Sequence, residues 1–257
     1  MRTSSNPALN RSPAFSGRAG HQTIDPLEVA YLGPSATSLD TGRMTVEDVI
    51  NKTGLLLIVA FLSAAVTWTL GLGGLAFPAA LVGLGLGLFI SFKQVTRPGV
   101  IVAYAAVEGV FLGGISQFFN AAYPGIVVQA VVGTSAVAAV MLGLYRSGRI
   151  KVTPQFTKMV VGATLGFLVL MIVNLVAGFV TPGGLGLRQG PFGIVVGLFA
   201  IGLASLNLVL DFDLVERSAR QGVPARFSWF AAFGILVTLV WLYIEILRLL
   251  SILRGDD

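Results

Sequence analysis

A chain of 257 residues in which 55% are hydrophobic and 11% charged, with a mean hydropathy of +0.85, lies outside the range of soluble proteins. Its 17 Lys and Arg exceed its 12 Asp and Glu, but the excess falls between apolar stretches rather than on one face, so no nucleic-acid partner is implied. With no Cys and the single His21, disulfides, thiolate nucleophiles and Cys- or His-clustered metal sites are excluded.

Residues 1–48 are polar and rich in Ser, Pro, Asn, Gly and Thr, which reads as a disordered cytoplasmic tail. No short apolar core follows the first residues, so no signal peptide is expected. Thr45-Val46-Glu47-Asp48-Val49-Ile50 reads either as an amphipathic turn capped by Thr45 or as linker. Residues 49–257 then form the membrane domain.

Between Thr53 and Phe92 there is no charge, too long a run for one membrane helix of ~20 residues. Gly71-Leu72-Gly73-Gly74 and Pro78 divide it into spans at Thr53–Leu70 and Leu75–Phe92. After Lys93 and Arg97, a third span covers Gly99–Phe119, and beyond Tyr123-Pro124 a fourth reaches Tyr145. The basic loop with Arg146, Arg149, Lys151 and Lys158 precedes a fifth span ending near Val180. A glycine-rich connection carrying Arg188 leads to a sixth span, Pro191–Phe212, whose helix continues past the membrane to Arg220. A seventh runs from Phe227 to Leu253. The expected fold is an all-α integral membrane protein, a seven-transmembrane-helix bundle.

Orientation follows from Lys and Arg. The tail carries five, the 93–97 loop two, the 146–158 loop four and the 217–226 loop three, 14 on one side against three on the other. The N-terminus is therefore expected in the cytoplasm and the C-terminus outside, unless the seventh segment is re-entrant. Four small-xxx-small pairs, Gly83/Gly87, Gly109/Gly113, Gly162/Gly166 and Gly193/Gly197, are expected to let helix backbones approach within the bundle.

No phosphate-binding loop, HExxH or dinucleotide fingerprint is present, and His21 lies too far from any membrane serine for a triad. Neither an enzyme nor a cofactor is expected. What remains is a set of acids. Asp211, in Asn207-Leu208-Val209-Leu210-Asp211-Phe212-Asp213, reads as standing near the C-terminal end of its helix, where the dipole disfavours an acid and calls for a nearby cation. That cation is either Arg217 or Arg220, in an interfacial ion-pair collar, or a transported ion. Glu108, about 14 Å along its span, lies near the midplane and is either a packing residue, with Ser116 or Gln117 nearby, or part of a relay. Glu245 is one turn from Arg248, which suggests an i,i+3 ion pair.

Three stretches, Glu108-Gly109-Val110-Phe111-Leu112-Gly113-Gly114-Ile115-Ser116, Leu210-Asp211-Phe212-Asp213 and Leu242-Tyr243-Ile244-Glu245-Ile246-Leu247-Arg248-Leu249-Leu250, resemble the Bax inhibitor-1/YccA family, the transmembrane Bax inhibitor motif proteins, in its bacterial branch. The resemblance runs from about Val49 to the C-terminus. It implies that the last helix is central, that the location is the plasma (inner) membrane, and that the activity is a pH-sensitive calcium leak. It also implies that Asp211 pairs with an aspartate on the seventh helix. Here Thr238 or a near neighbour stands where that second aspartate would, so the proton-sharing pair is incomplete.

Two functions follow as expectations. One is passive conduction of Ca²⁺ or H⁺, with Asp211 at the gate, Asp213 beside it and Glu108 on the path. The other is a non-conducting regulator that binds membrane proteins such as a protease. For topology, a tag in the 146–158 loop should be labelled only from the cytoplasm and a C-terminal tag only from outside. Cytoplasmic labelling of the C-terminus would remove the seventh crossing.

Overall fold

The computed structural model describes residues 42–181 and 183–255, and these form seven long helices. They are α1 (Val46–Thr69), α2 (Ala76–Lys93), α3 (Pro98–Ala122), α4 (Ile126–Arg146), α5 (Pro154–Gly178), α6 (Gly190–Arg220) and α7 (Phe227–Gly255), with one 3-10 turn at Gly73–Leu75. All seven are long and apolar enough to cross a membrane. Phe92, Phe179 and Val180 are among the large apolar side chains left open on the outside, so the surface these helices present suits hydrocarbon rather than water.

Local chemistry sets the boundaries. Thr45 caps α1 by accepting from Asp48 N at 3.1 Å, and Thr153 caps α5 by accepting from Phe156 N at 3.1 Å, with Pro154 as the first helical residue. Gly125, at φ +83°, makes the reversal between α3 and α4, a conformation with little penalty only for glycine.

Two boundaries differ from the sequence reading. The first helix begins at Val46, so residues 46–48, expected in the tail, belong to the membrane domain. Just before them, Met44 N donates to Val223 O at 2.7 Å and Ala225 N to Gly42 O at 3.0 Å, fastening this segment to the α6–α7 loop. The rest of the expected tail, with His21, lies outside the described residues. Lys158 stands on α5 rather than in the preceding loop, because the cap at Thr153 starts the helix earlier. The seventh segment is one unbroken 29-residue helix of ~43 Å, which leaves no re-entrant turn.

The last helix is central. α7 packs on α1, α3, α4 and α6, and it is the most buried of the spans, whereas α2 leans on α3 and α5 on α6. Glycines bring α1 and α3 together. A Cβ at Gly113 would stand 2.5 Å from Ala64 O, and one at Gly109 would press closer still on Ala60 O. Gly83 and Gly87 admit Glu108 and Tyr104, and Gly193 and Gly197 admit Ile252 and Leu249. Only the Gly162/Gly166 pair of the four meets no neighbouring atom. Replacing Gly109 by Ala should therefore destabilise the bundle by about 1–3 kcal/mol or more through overpacking. Gly162→Ala should change thermal unfolding in detergent by no more than about 0.5 kcal/mol. Equal effects at the two positions would contradict the close α1–α3 approach.

Candidate functional site

The helix holding Asp211 does not end there. α6 continues to Arg220, so its terminal carbonyls lie more than two turns beyond Asp211 and the dipole argument for a nearby cation does not apply. Asp211 faces α7 instead, where Thr238 Oγ1 donates to Oδ2 at 2.6 Å. A hydroxyl has one proton, and the nearby Gly234 carbonyl, at 3.2 Å, is the weaker acceptor. Among the described residues no ion pair includes Asp211.

The expected collar exists but leaves Asp211 out. Arg217 pairs with Asp213, and Arg220 pairs with Glu216 at 3.0 Å. Tyr145 O–H also donates to Glu216, tying α4 to this end of α6. Asp213, two residues from Asp211, points about 200° around the helix, which is why the two neighbouring acids have different partners. Asp211 and Thr238 line a cavity of about 280 Å³ whose third polar side chain is Ser91 and whose walls include Phe230, Phe233 and Val237.

Glu108 lies elsewhere. Its Oε1 accepts from Tyr104 O–H at 2.7 Å, one turn back on α3, and its carboxylate fits beside Gly83 of α2. Neither Ser116 nor Gln117 supplies its polarity: Ser116 bonds the Tyr243 hydroxyl at 2.6 Å, and Gln117 lies against Gly73. The Tyr104 ring meets Phe233 edge-on, with centroids 4.9 Å apart, and Phe233 is a wall of the Asp211 cavity. Two aromatic rings thus stand between Glu108 and Asp211.

The expected Glu245–Arg248 pair is not what forms. Glu245, only 3% exposed, pairs with Arg188 from the α5–α6 connection. Arg248 turns its Nη2 to the Arg188 carbonyl at 3.3 Å, leaving its buried Nε without a partner. A fixed three-residue spacing on α7 is overridden because the folded connection brings a closer guanidinium to the carboxylate.

A further polar cluster ties α1 to α7. Lys52 Nζ reaches Asp48 Oδ2 at 2.7 Å, Ser228 Oγ sits between the two, and the ammonium lies 5.1 Å from the Trp229 ring centroid. Lys52 and Asp48 are four apart on one helix and so were readable as a pair, as were Tyr104 and Glu108. Ser228 and Arg188 carry no such local signal. Among the described residues, no three His, Cys, Asp or Glu side chains converge as metal ligands do.

A family model described as Bax inhibitor 1 like matches residues 6–255. The chain belongs to this family. The match begins well ahead of Val49, where the resemblance was expected to start, and so takes in most of the polar N-terminal stretch. No curated protein matches the chain. In this Bax inhibitor 1 like protein the three stretches that carry the resemblance converge on α7. Ser116 of the first bonds Tyr243 of the third, and Asp211 of the second bonds Thr238 four residues ahead of Leu242.

Removing Arg188 would leave Glu245 as a buried, unpaired acid. Arg188→Ala should cost about 3–5 kcal/mol in thermal or denaturant unfolding, and Glu245→Gln added to it should recover part of that loss. Equal stability of Arg188→Ala and the parent would show the pair to be exposed to water.

Proposed function

We propose that this Bax inhibitor 1 like protein is a passive pathway for Ca²⁺ or H⁺ in the plasma (inner) membrane, gated at Asp211. The observation that carries this reading is a carboxylate on a membrane-spanning helix, lining a cavity, held by one hydroxyl and, among the described residues, by no cationic side chain. Acids at membrane depth are costly, and those without a fixed countercharge are candidate sites for a mobile one. A cation or proton reaching the carboxylate cancels the charge that strengthens the bond from the Thr238 hydroxyl to Oδ2, and so weakens it. Loss of that bond loosens α6 from α7 at this level. Leu208 of α6 and Leu236 of α7 are fully buried in one apolar cluster, so on this reading flux requires the two helices to part.

A second reading has its own observation. Among the described residues no hydrogen bond joins Asp211 to Glu108, and the contact that links their surroundings is the aromatic pair Tyr104–Phe233, which favours a non-conducting regulator that binds membrane proteins such as a protease. In that case Glu108 and Tyr104 serve packing alone.

Flux of Ca²⁺ and of H⁺ into liposomes holding the purified protein separates the two. If Asp211 is the gate, Asp211→Asn should change flux by about tenfold, equivalent to ~1.4 kcal/mol on the barrier, and should flatten its pH dependence. Thr238→Val should alter the same flux by removing the hydroxyl that holds the carboxylate to α7. Asp213→Asn should cost about 1 kcal/mol of stability at most, because Arg217 is half in solvent, and should leave flux unchanged. Unaltered flux in Asp211→Asn, in a preparation where the parent conducts, sinks the gate assignment. A folded parent that carries neither ion supports the regulator.

A further inference from the structure

Where α4 stops and α5 starts, the protein carries positive charge that it does not neutralise. Arg146 ends α4, Arg149 and Lys151 lie in the connection, and Lys158 stands early in α5. All four are exposed, and among the described residues none has an ion pair. No acid occurs in the sequence between Glu108 and Asp211. Tyr145 ties this end of α4 to α6, but the acids there are taken, Glu216 by Arg220 and Asp213 by Arg217. Residues 1–41 bring no net countercharge, because Arg2, Arg11 and Arg18 are matched by Asp25, Glu28 and Asp40.

The connection is folded onto the helix end rather than extended into water. Ser147 N donates to Gly143 O at 2.9 Å, Gly148 N to Tyr145 O at 3.0 Å and Ile150 N to Leu144 O at 3.4 Å, a reversal that Gly148 permits at φ +69°. Thr153 then caps α5, so residues 147–153 alone join the two helices. Both helices are apolar spans, which puts their ends, and these four cations with them, at the level of the headgroups. The same cations orient the chain during insertion, but in the folded protein they still need counter-ions.

Position decides the partner. Phosphates of the bilayer lie within a Debye length, ~8 Å, of a cation held at this level. Each Lys or Arg beside an anionic leaflet gains about fivefold in affinity, the equivalent of ~1 kcal/mol. We propose that the α4–α5 connection binds the phosphates of anionic phospholipids in the leaflet it meets. The headgroups bridge the ends of α4 and α5, and so help to hold α5, which leans on α6, against the bundle.

Native mass spectrometry tests this on the full chain, purified in mild detergent and given equal amounts of palmitoyl-oleoyl phosphatidylglycerol and palmitoyl-oleoyl phosphatidylcholine. The retained lipid should favour phosphatidylglycerol about tenfold, and Arg149→Gln with Lys151→Gln should bring the ratio back to about one. Lys93→Gln with Arg97→Gln removes two exposed cations from the α2–α3 connection and should change the ratio by less than about twofold. Size-exclusion profiles check folding, and Arg146→Gln with Lys158→Gln is a second variant of the same site. An unchanged ratio in a folded variant of the α4–α5 site overturns the proposal. So does an equal fall in the Lys93 and Arg97 variant, which would make net charge rather than this site the cause. Equal retention of the two lipids by the parent overturns it in favour of an acidic protein segment, and displacement of phosphatidylglycerol by an equal concentration of glycerol 3-phosphate overturns it in favour of a free anion.

Discussion

Hydrocarbon offers no hydrogen bonds, so each polar group carried to membrane depth must find its partner inside the bundle, at a cost of several kcal/mol where it fails. Several hydroxyls among the described residues solve the problem on their own helix: Thr53 bonds Val49 O, Thr134 bonds Ala130 O, Thr164 bonds Val160 O and Ser205 bonds Ile201 O. The acids have no such recourse, because a helical backbone has no free N–H in its interior. They reach for another side chain. Asp211 takes Thr238 and Glu245 takes Arg188, and both bonds hold α7 against α6 or its leading connection. Glu108 takes Tyr104, whose ring rests on α7.

The centrality of α7 is the packing side of the same constraint. With no hydrophobic effect between helices in lipid, association depends on close backbone approach and on polar contacts. Gly109 and Gly113 bring α3 hard against α1, forming a wall on which α7 lies. α5 has only Val160 and Phe167 buried, and its glycine pair meets nothing, so it stays at the margin. α2 is held at the other margin by small-residue contacts to α3. The consequence is a dense core of α1, α3, α6 and α7 with a gap where α4 and α1 fail to close.

The acids differ in how their charge is met: among the described residues Asp211 and Glu108 each have a hydroxyl donor and no ion pair, and of these two only Asp211 lines the 280 Å³ cavity. Asp213 and Glu216 have arginines one turn away, and Glu245 has Arg188. Fixed cations neutralise these sites, so they need nothing mobile. Among the described residues the donor to Asp211 is a hydroxyl, which satisfies one lone pair without cancelling charge. The Bax inhibitor 1 like family assignment rests on most of the chain, whereas the proposed role of Asp211 rests on this one local imbalance.

Seven helices and most of their limits to within a few residues were legible in the sequence, although α1 starts seven residues before Thr53 and α6 runs to Arg220, well past Asp211, which was read at its end. Each follows from hydropathy, proline and glycine placement, and the ~1.5 Å rise, all of which act locally. The separation of Asp211 from Asp213 was legible too, since it depends only on helical rotation. Partners distant in sequence were not. Glu245 chose Arg188, 57 residues away, over Arg248 on its own helix, because the path of the α5–α6 connection determines which guanidinium is nearest. Glu108 and Asp211, both read as path residues, are held apart by Tyr104 and Phe233, whose meeting depends on how α3 and α7 cross. The gap between α1 and α4 is likewise absent from any local pattern. It exists only because both helices pack on α7 without reaching each other, and helix spacing is decided by the tertiary fit of side chains, which no period in the sequence encodes.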